Sequence, residues 1–203
     1  MNVHVGMQTG SIELSLFRQK YQDTEKFMAY CRECPNYGEF WSCPPLSFDA
    51  DAFLAPYTWA NLLCAQIHPD KETIRAANTA EKIKAAGWDI VSKAKARIER
   101  KLRAIETRMS GSVSLSSGGC SLCETCTRKE NLPCCKPDEM RYSMDAFGFD
   151  LTAITKELFH IEILWCKDSL PEYFTLIHAL LSKESVSESL WKEAGLSTDI
   201  ATR

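Results

Sequence analysis

The run Cys120-Ser-Leu-Cys123-Glu-Thr-Cys126, with Pro133-Cys134 returning a few residues later, constrains this chain more than any other feature. Thiols spaced two residues apart on a tight loop bend round one corner of an iron–sulfur cube. A further thiol from later in the chain then caps the remaining iron. A structural zinc site needs only one close Cys pair plus a distant second pair, so the third cysteine of the repeat is surplus to zinc. Cys120, Cys123, Cys126 and Cys134 are therefore expected to hold a 4Fe–4S cluster, with zinc as the alternative. Buried structural thiols explain the run poorly, because the cysteines lie among polar and glycine residues. The Gly118-Gly119 pair ahead of them serves the turn and is not a phosphate loop.

A second group lies upstream, Cys31-Arg-Glu-Cys34-Pro-Asn-Tyr-Gly-Glu-Phe-Trp-Ser-Cys43-Pro-Pro. Proline after a ligand removes a backbone donor and fixes the chain's direction. Gly38 permits the turn that brings Cys43 back. Cys31, Cys34 and Cys43 make only three thiols. They either share a site with the downstream group, recruit a distant ligand such as a histidine, or leave one metal position open to substrate or water. A zinc knuckle completed by another residue is the bland alternative. Tyr37, Phe40 and Trp41 within the loop are expected to pack over metal and exclude water.

Cysteine content alone does not separate metal ligands from disulfides, and the chain has ten cysteines. Residues 1–10 are polar and mixed, without the charged-then-apolar pattern of an export signal, and no apolar run is long enough for a membrane span. Thiols at ligand spacing then read as metal ligands in a reducing compartment, the cytoplasm. The net charge is −3. The lysines and arginines of residues 82–108 are interrupted by Glu81, Asp89, Glu99 and Glu106, so they read as a solvated helix face and not as a nucleic-acid footprint.

Periodicity supplies the frame. Residues 23–30 and 150–158 read as short helices. Ile83, Gly87, Ile90, Ala94, Ile98, Leu102, Ile105 and Met109 recur at helical steps and form one face of a long helix. Lys84, Lys93, Lys95, Arg97, Glu99, Arg100 and Arg103 are assigned to the opposite, solvated face. Gly87 is expected to bend or divide the helix, because glycine weakens a helix interior by about 1 kcal/mol. Strands are expected at 58–67, 112–117, 159–166 and 172–181, with a right-handed parallel crossover through the long helix. The result is an α+β fold: a mixed sheet of about four strands, a long helix packed on it, and cysteine-rich metal-binding loops. Residues 10–182 read as a single cysteine-rich domain and 183–203 as a polar C-terminal helix and tail, its last residues frayed. Cys64 and Cys166 sit in apolar strand patterns and read as buried free thiols. His68, His160 and His178 read as structural.

The two cysteine motifs, followed by Pro133-Cys134 and Ser143-Met-Asp-Ala-Phe-Gly-Phe-Asp150, resemble a bacterial and archaeal family of predicted metal-binding, cysteine-rich proteins of unknown function. The resemblance spans roughly residues 10 to 182. It implies metal binding by Cys31, Cys34, Cys43, Cys120, Cys123, Cys126 and Cys134, and no established reaction. Cys135 stands where the family pattern leads one to expect a basic or polar residue. Cys134 is preferred as ligand because it follows Pro133 in the family-like position.

These observations favour an iron–sulfur protein of intracellular electron transfer, with one and at most two 4Fe–4S centres and an unidentified redox protein as partner. An enzyme with substrate at an open metal position on the upstream group is the alternative, and a zinc-bound structural or nucleic-acid module is another. The Cys-x3-Cys-x2-Cys signature of radical S-adenosylmethionine enzymes is absent.

Overall fold

The computed structural model describes residues 3–197. In chain order its elements are β1 (Val3–Glu13), α1 (Leu14–Tyr21), α2 (Thr24–Glu33), α3 (Ala50–Leu54), β2 (Trp59–Pro69), α4 (Lys71–Ala76), α5 (Ala80–Arg108), β3 (Val113–Leu115), α6 (Leu151–Phe159), β4 (Phe174–Ser182) and α7 (Glu188–Glu193). The strands form one sheet in the order β1-β2-β4-β3. The α+β class, the count of four strands and the long helix follow the sequence expectation, although only three of the four strands are those expected.

Residues 60–65 are all buried, and β4 is buried almost throughout. Such unbroken apolar runs mark central strands covered on both faces, since alternate side chains point to opposite sides. Leu62, Cys64, Ile177 and Ala179 pack with Phe17 of α1, Leu54 of α3 and Ile154 of α6. Leu63, Ala65, Leu176 and Leu180 pack with Ile90, Ile98, Leu102 and Ile105 of α5 and Trp191 of α7. The sheet thus lies between two helical layers. The polar tail expected over 183–203 contributes Val186, Trp191 and Leu196 to the second layer; its final residues, from 198, lie outside the described residues.

The structure corrects three details. First, every strand pair is antiparallel, where a mixed sheet was expected. β2 and β3 do run parallel to each other, but β4 is inserted between them. Second, residues 159–166 are not a strand: α6 runs through Phe159, His160 closes it in a left-handed conformation, and Trp165 is 71% exposed. An apolar, β-branched segment becomes a strand only where neighbours receive it, and β1 has already filled the remaining edge beside β2. Third, β1 itself pairs with β2 along its full length, Val3 opposite Pro69 through Glu13 opposite Trp59. As an edge strand with Gly6 and Gly10, mostly half-buried, it carries too little apolar alternation to be read as a strand.

α5 is continuous. Gly87 does not divide it, and it serves as a contact point: a Cβ there would lie 3.5 Å from Phe174 and 3.6 Å from Cys166 Sγ. Cys64 is buried as expected, but Cys166 is exposed, having left the strand assigned to it.

Lys95 and Glu99, assigned to solvent, are 4% and 8% exposed. With Glu106 they form a polar seam between α5 and the β3 edge. Glu99 accepts from the Ser116 hydroxyl, and Glu106 accepts from the Ser114 backbone and hydroxyl and from the Arg141 guanidinium. Burial alone would raise the Glu106 carboxyl, but Arg141 and Ser114 outweigh it and hold it below the ordinary carboxylate value. The stability contributed by this pair is therefore present above the ordinary carboxylate pKa and is lost as pH falls through the lowered value. Arg141→Ala leaves a buried carboxylate without its counter-charge and is expected to cost about 3–5 kcal/mol in denaturant unfolding at neutral pH. A cost within error of zero would show that the seam is not a buried ion pair in solution.

Candidate metal centre

The upstream loop is delivered by α2. Asp23 caps that helix by accepting from Lys26 N at 3.0 Å, a cap worth about 1 kcal/mol. The motif 143–150 grips the same end. Asp23 N donates to Gly148 O at 2.9 Å, Asp150 N donates to Tyr21 O at 2.8 Å, and the Gln22 side chain donates to Phe147 O. Gly148 has φ +79°, and a Cβ there would lie 2.6 Å from Thr24 Cα, so only glycine allows this approach. The far end of α2 carries Cys31, whose Sγ lies 3.9 Å from Asp145 O in the 3-10 turn Met144–Phe147. The loop beyond folds back through Gly38 N donating to Pro44 O at 2.8 Å, and the Pro44–Pro45 bond is cis. Cys43 is buried, Cys31 half-buried and Cys34 exposed.

The downstream loop leaves β3 through Ser116 and Ser117 and lies against the first. Cys120 N donates to Ser42 Oγ at 2.8 Å, and Ser42 Oγ is 3.7 Å from Cys43 Sγ. Gly119 allows the contact: a Cβ there would meet Asn36 Nδ2 at 3.1 Å and Cys43 Sγ at 3.9 Å. Arg128 pins the two loops together. It donates to the carbonyls of Phe40 (2.8 Å), Cys43 (2.7 Å) and Pro45 (2.7 Å) and stacks 5.1 Å from the Trp41 ring centre. Trp41 Nε1 donates to Leu132 O at 3.1 Å, and Lys129 pairs with Glu39 at 3.1 Å. The two cysteine groups are therefore neighbours by construction.

Cys120, Cys123, Cys126 and Cys134 all line one pocket, together with Cys135, Phe40, Trp41 and Met140. The upstream aromatics thus cover the downstream thiols, an arrangement that motif-by-motif reading could not anticipate. Cys135 is exposed, and its Sγ lies 3.1 Å from that of Cys123. Among the described residues no three His, Cys, Asp or Glu side chains converge as they would on one bare ion. Soft sulfur donors of this kind select iron–sulfur, zinc or Cu(I).

Several of these thiols are pushed toward the protonated form. Burial pushes Cys31 up to about 11, helped by the charges of Asp145, Cys34 and Cys43, and it raises Cys43 and Cys120. The hydrogen bond with Cys135 lifts Cys123 to about 11. Metal must displace these protons, so loading favours higher pH. Lys95 opposes the trend: it lowers Cys43 and Cys120, and its Nζ donates to Gly118 O (3.4 Å) and to Gly119 O at the head of the loop. Beside it His178 is fully buried, neither ring nitrogen has a protein partner, and burial together with Lys95 pushes it down to about 3.

Lys95, Asp145 and Arg128 are the site residues that the cysteine spacing does not reveal. A signal for the first existed in the Lys95, Glu99, Glu106 stripe at helical steps beside the apolar face. No helix among the described residues is long and apolar enough to cross a membrane. No curated protein and no solved structure matches the chain. A family model does match residues 16–181, which include both cysteine loops and the segment that grips them, so the chain belongs to the predicted metal-binding protein family DUF2284.

Proposed function

We propose that the protein is an iron–sulfur electron carrier of the cytoplasm, with a 4Fe–4S cluster on Cys120, Cys123, Cys126 and Cys134 and a second metal centre on Cys31, Cys34 and Cys43. The observation that carries this reading is the single pocket lined by all four downstream thiols and covered by Phe40 and Trp41. A bound cluster supplies one-electron chemistry. The chain's own residues hold it, screen it from water and place the Lys95 charge behind it. Electron transfer needs no acid–base residues, and the pocket is lined mainly by thiols and apolar side chains, with Thr127 and Lys136 beside them. The partner is a redox protein that exchanges single electrons.

Anaerobic purification followed by iron and acid-labile sulfide analysis tests this. About four irons and four sulfides per chain are expected for the downstream centre, lost in Cys134→Ser and kept in Cys135→Ser. One tightly held zinc with no sulfide would make the site structural instead. Loss in the Cys135 variant alone would move the fourth ligand by one residue.

A further inference from the structure

We propose that Cys123 and Cys135 are a redox-active pair, joined in the metal-free chain by a reversible disulfide that closes the downstream centre to metal. The effect on metal rests on the reading that Cys123 is a ligand; the disulfide itself does not.

The two sulfurs lie 3.1 Å apart, about 1 Å further than a disulfide bond. Hydrogen bonds of the loop itself hold them there. The 3-10 turn Thr127–Glu130 ends at Asn131, whose φ of +56° reverses the chain. Leu132 N then donates to Thr127 O at 3.1 Å, and Thr127 Oγ1 donates to Pro133 O at 2.8 Å. Arg128 ties the same turn to the upstream loop. Cys123 and Cys135 stand on the two limbs that these bonds clamp together.

Cys135 is exposed and Cys123 half-buried, so an oxidant from solvent reaches Cys135 first. A cluster held by Cys120, Cys123, Cys126 and Cys134 leaves Cys135 without a metal, although it lines the same pocket. An accessible thiol beside a resolving cysteine is the arrangement of a redox sensor. In a reducing compartment, disulfides are mostly of this transient kind.

The oxidant is a small-molecule disulfide. The Cys135 thiolate attacks one of its sulfurs, its S–S bond breaks, and one small thiolate leaves. The Cys123 thiolate then attacks the Cys135 sulfur of the mixed disulfide, forming the Cys123–Cys135 bond and releasing the second small thiolate. Two protein thiols thus lose two protons and two electrons, and the small disulfide is reduced to two thiols. An added dithiol reverses the change. While the bond stands, Cys123 has no thiolate to give to metal.

Oxidised glutathione added to the metal-free full-length chain tests the pair. Alkylation after an acid quench should show two of the ten thiols lost. Trypsin cleaves after Arg128 and so parts Cys123 from Cys135. The two peptides should stay joined until dithiothreitol is added, with fragmentation mapping the bridge to Cys123 and Cys135. Cys135→Ser should lose the bridge, and Cys134→Ser should keep it. Anaerobic addition of ferrous iron and sulfide, followed by native mass spectrometry, should find the bridge and the downstream cluster on different chains, and dithiothreitol should restore full cluster uptake. A bridge mapped to Cys134, bridges scattered over several pairs, a Cys135→Ser chain that loses two thiols as wild type does, or bridge and cluster on one chain would each overturn the proposal. If the bridge forms as expected but the anaerobically purified protein holds no iron and sulfide, the cluster reading fails and the redox pair stands.

Discussion

Cys120→Ser is expected to remove the downstream metal complement and to cost the folded protein more than any surface substitution. Cys120 stands at the junction of three contacts. Its N–H meets Ser42 of the other loop, the preceding Gly119 leaves no room for a Cβ beside Asn36, and Cys120 lines the pocket of the proposed cluster. Serine keeps the shape and the backbone bond, so the variant isolates the loss of one thiolate. Metal binding in loops of this kind is coupled to folding, because the unfolded chain holds no preformed site. In a chain of this size each kcal/mol lost lowers Tm by about 2–4 °C, so losing the metal should appear as a large fall in Tm as well as in iron content. Cys123→Ser should be milder, because the Cys135 sulfur already lies 3.1 Å from that of Cys123 and can stand in. A Cys120→Ser protein with full iron and unchanged Tm would remove Cys120 from the ligand set.

The spacing of Cys120, Cys123, Cys126 and Cys134 is local information, and these four do line one pocket, but so does Cys135, which spacing alone did not select. The sheet was legible where strands are buried on both faces, as along residues 60–65, where composition and burial coincide. It was not legible at β1, whose half-buried edge face gives weak alternation, nor at 159–166, whose strand-like composition finds no partner in the sheet. Asp145 read as one acidic residue in a motif, because its meaning depends on Gly148 bringing that turn against α2. Arg128 likewise acquires its role from carbonyls more than eighty residues away in sequence. Long-range placement of a single polar side chain has no periodic signature, and this is the part of the site that only the fold supplies.

Lys95 tests that point most sharply. Read as one of many lysines on a charged helix, it should tolerate replacement, since exposed ion pairs contribute about 0–1 kcal/mol. Buried as it is, with Nζ on the Gly118 and Gly119 carbonyls and 3.7 Å from Glu99, it should not. Lys95→Met leaves the Glu99 carboxylate buried with the Ser116 hydroxyl as its remaining partner, at a cost of about 3–5 kcal/mol, or a fall in Tm of roughly 6–20 °C. Lys95→Met/Glu99→Gln removes the orphaned charge while keeping an acceptor for Ser116, so most of that stability should return. The redox readout moves by a different rule. Adding an electron makes the centre more negative, and a nearby buried cation favours that state, so Lys95→Met should lower the reduction potential. The double variant removes one charge of each sign and should lie between the single variant and wild type. A single variant that matched wild type in both Tm and potential would return Lys95 to solvent. One that lost stability but kept its potential would make it a brace for the Gly118–Gly119 turn, with no electrostatic role toward the thiols it faces.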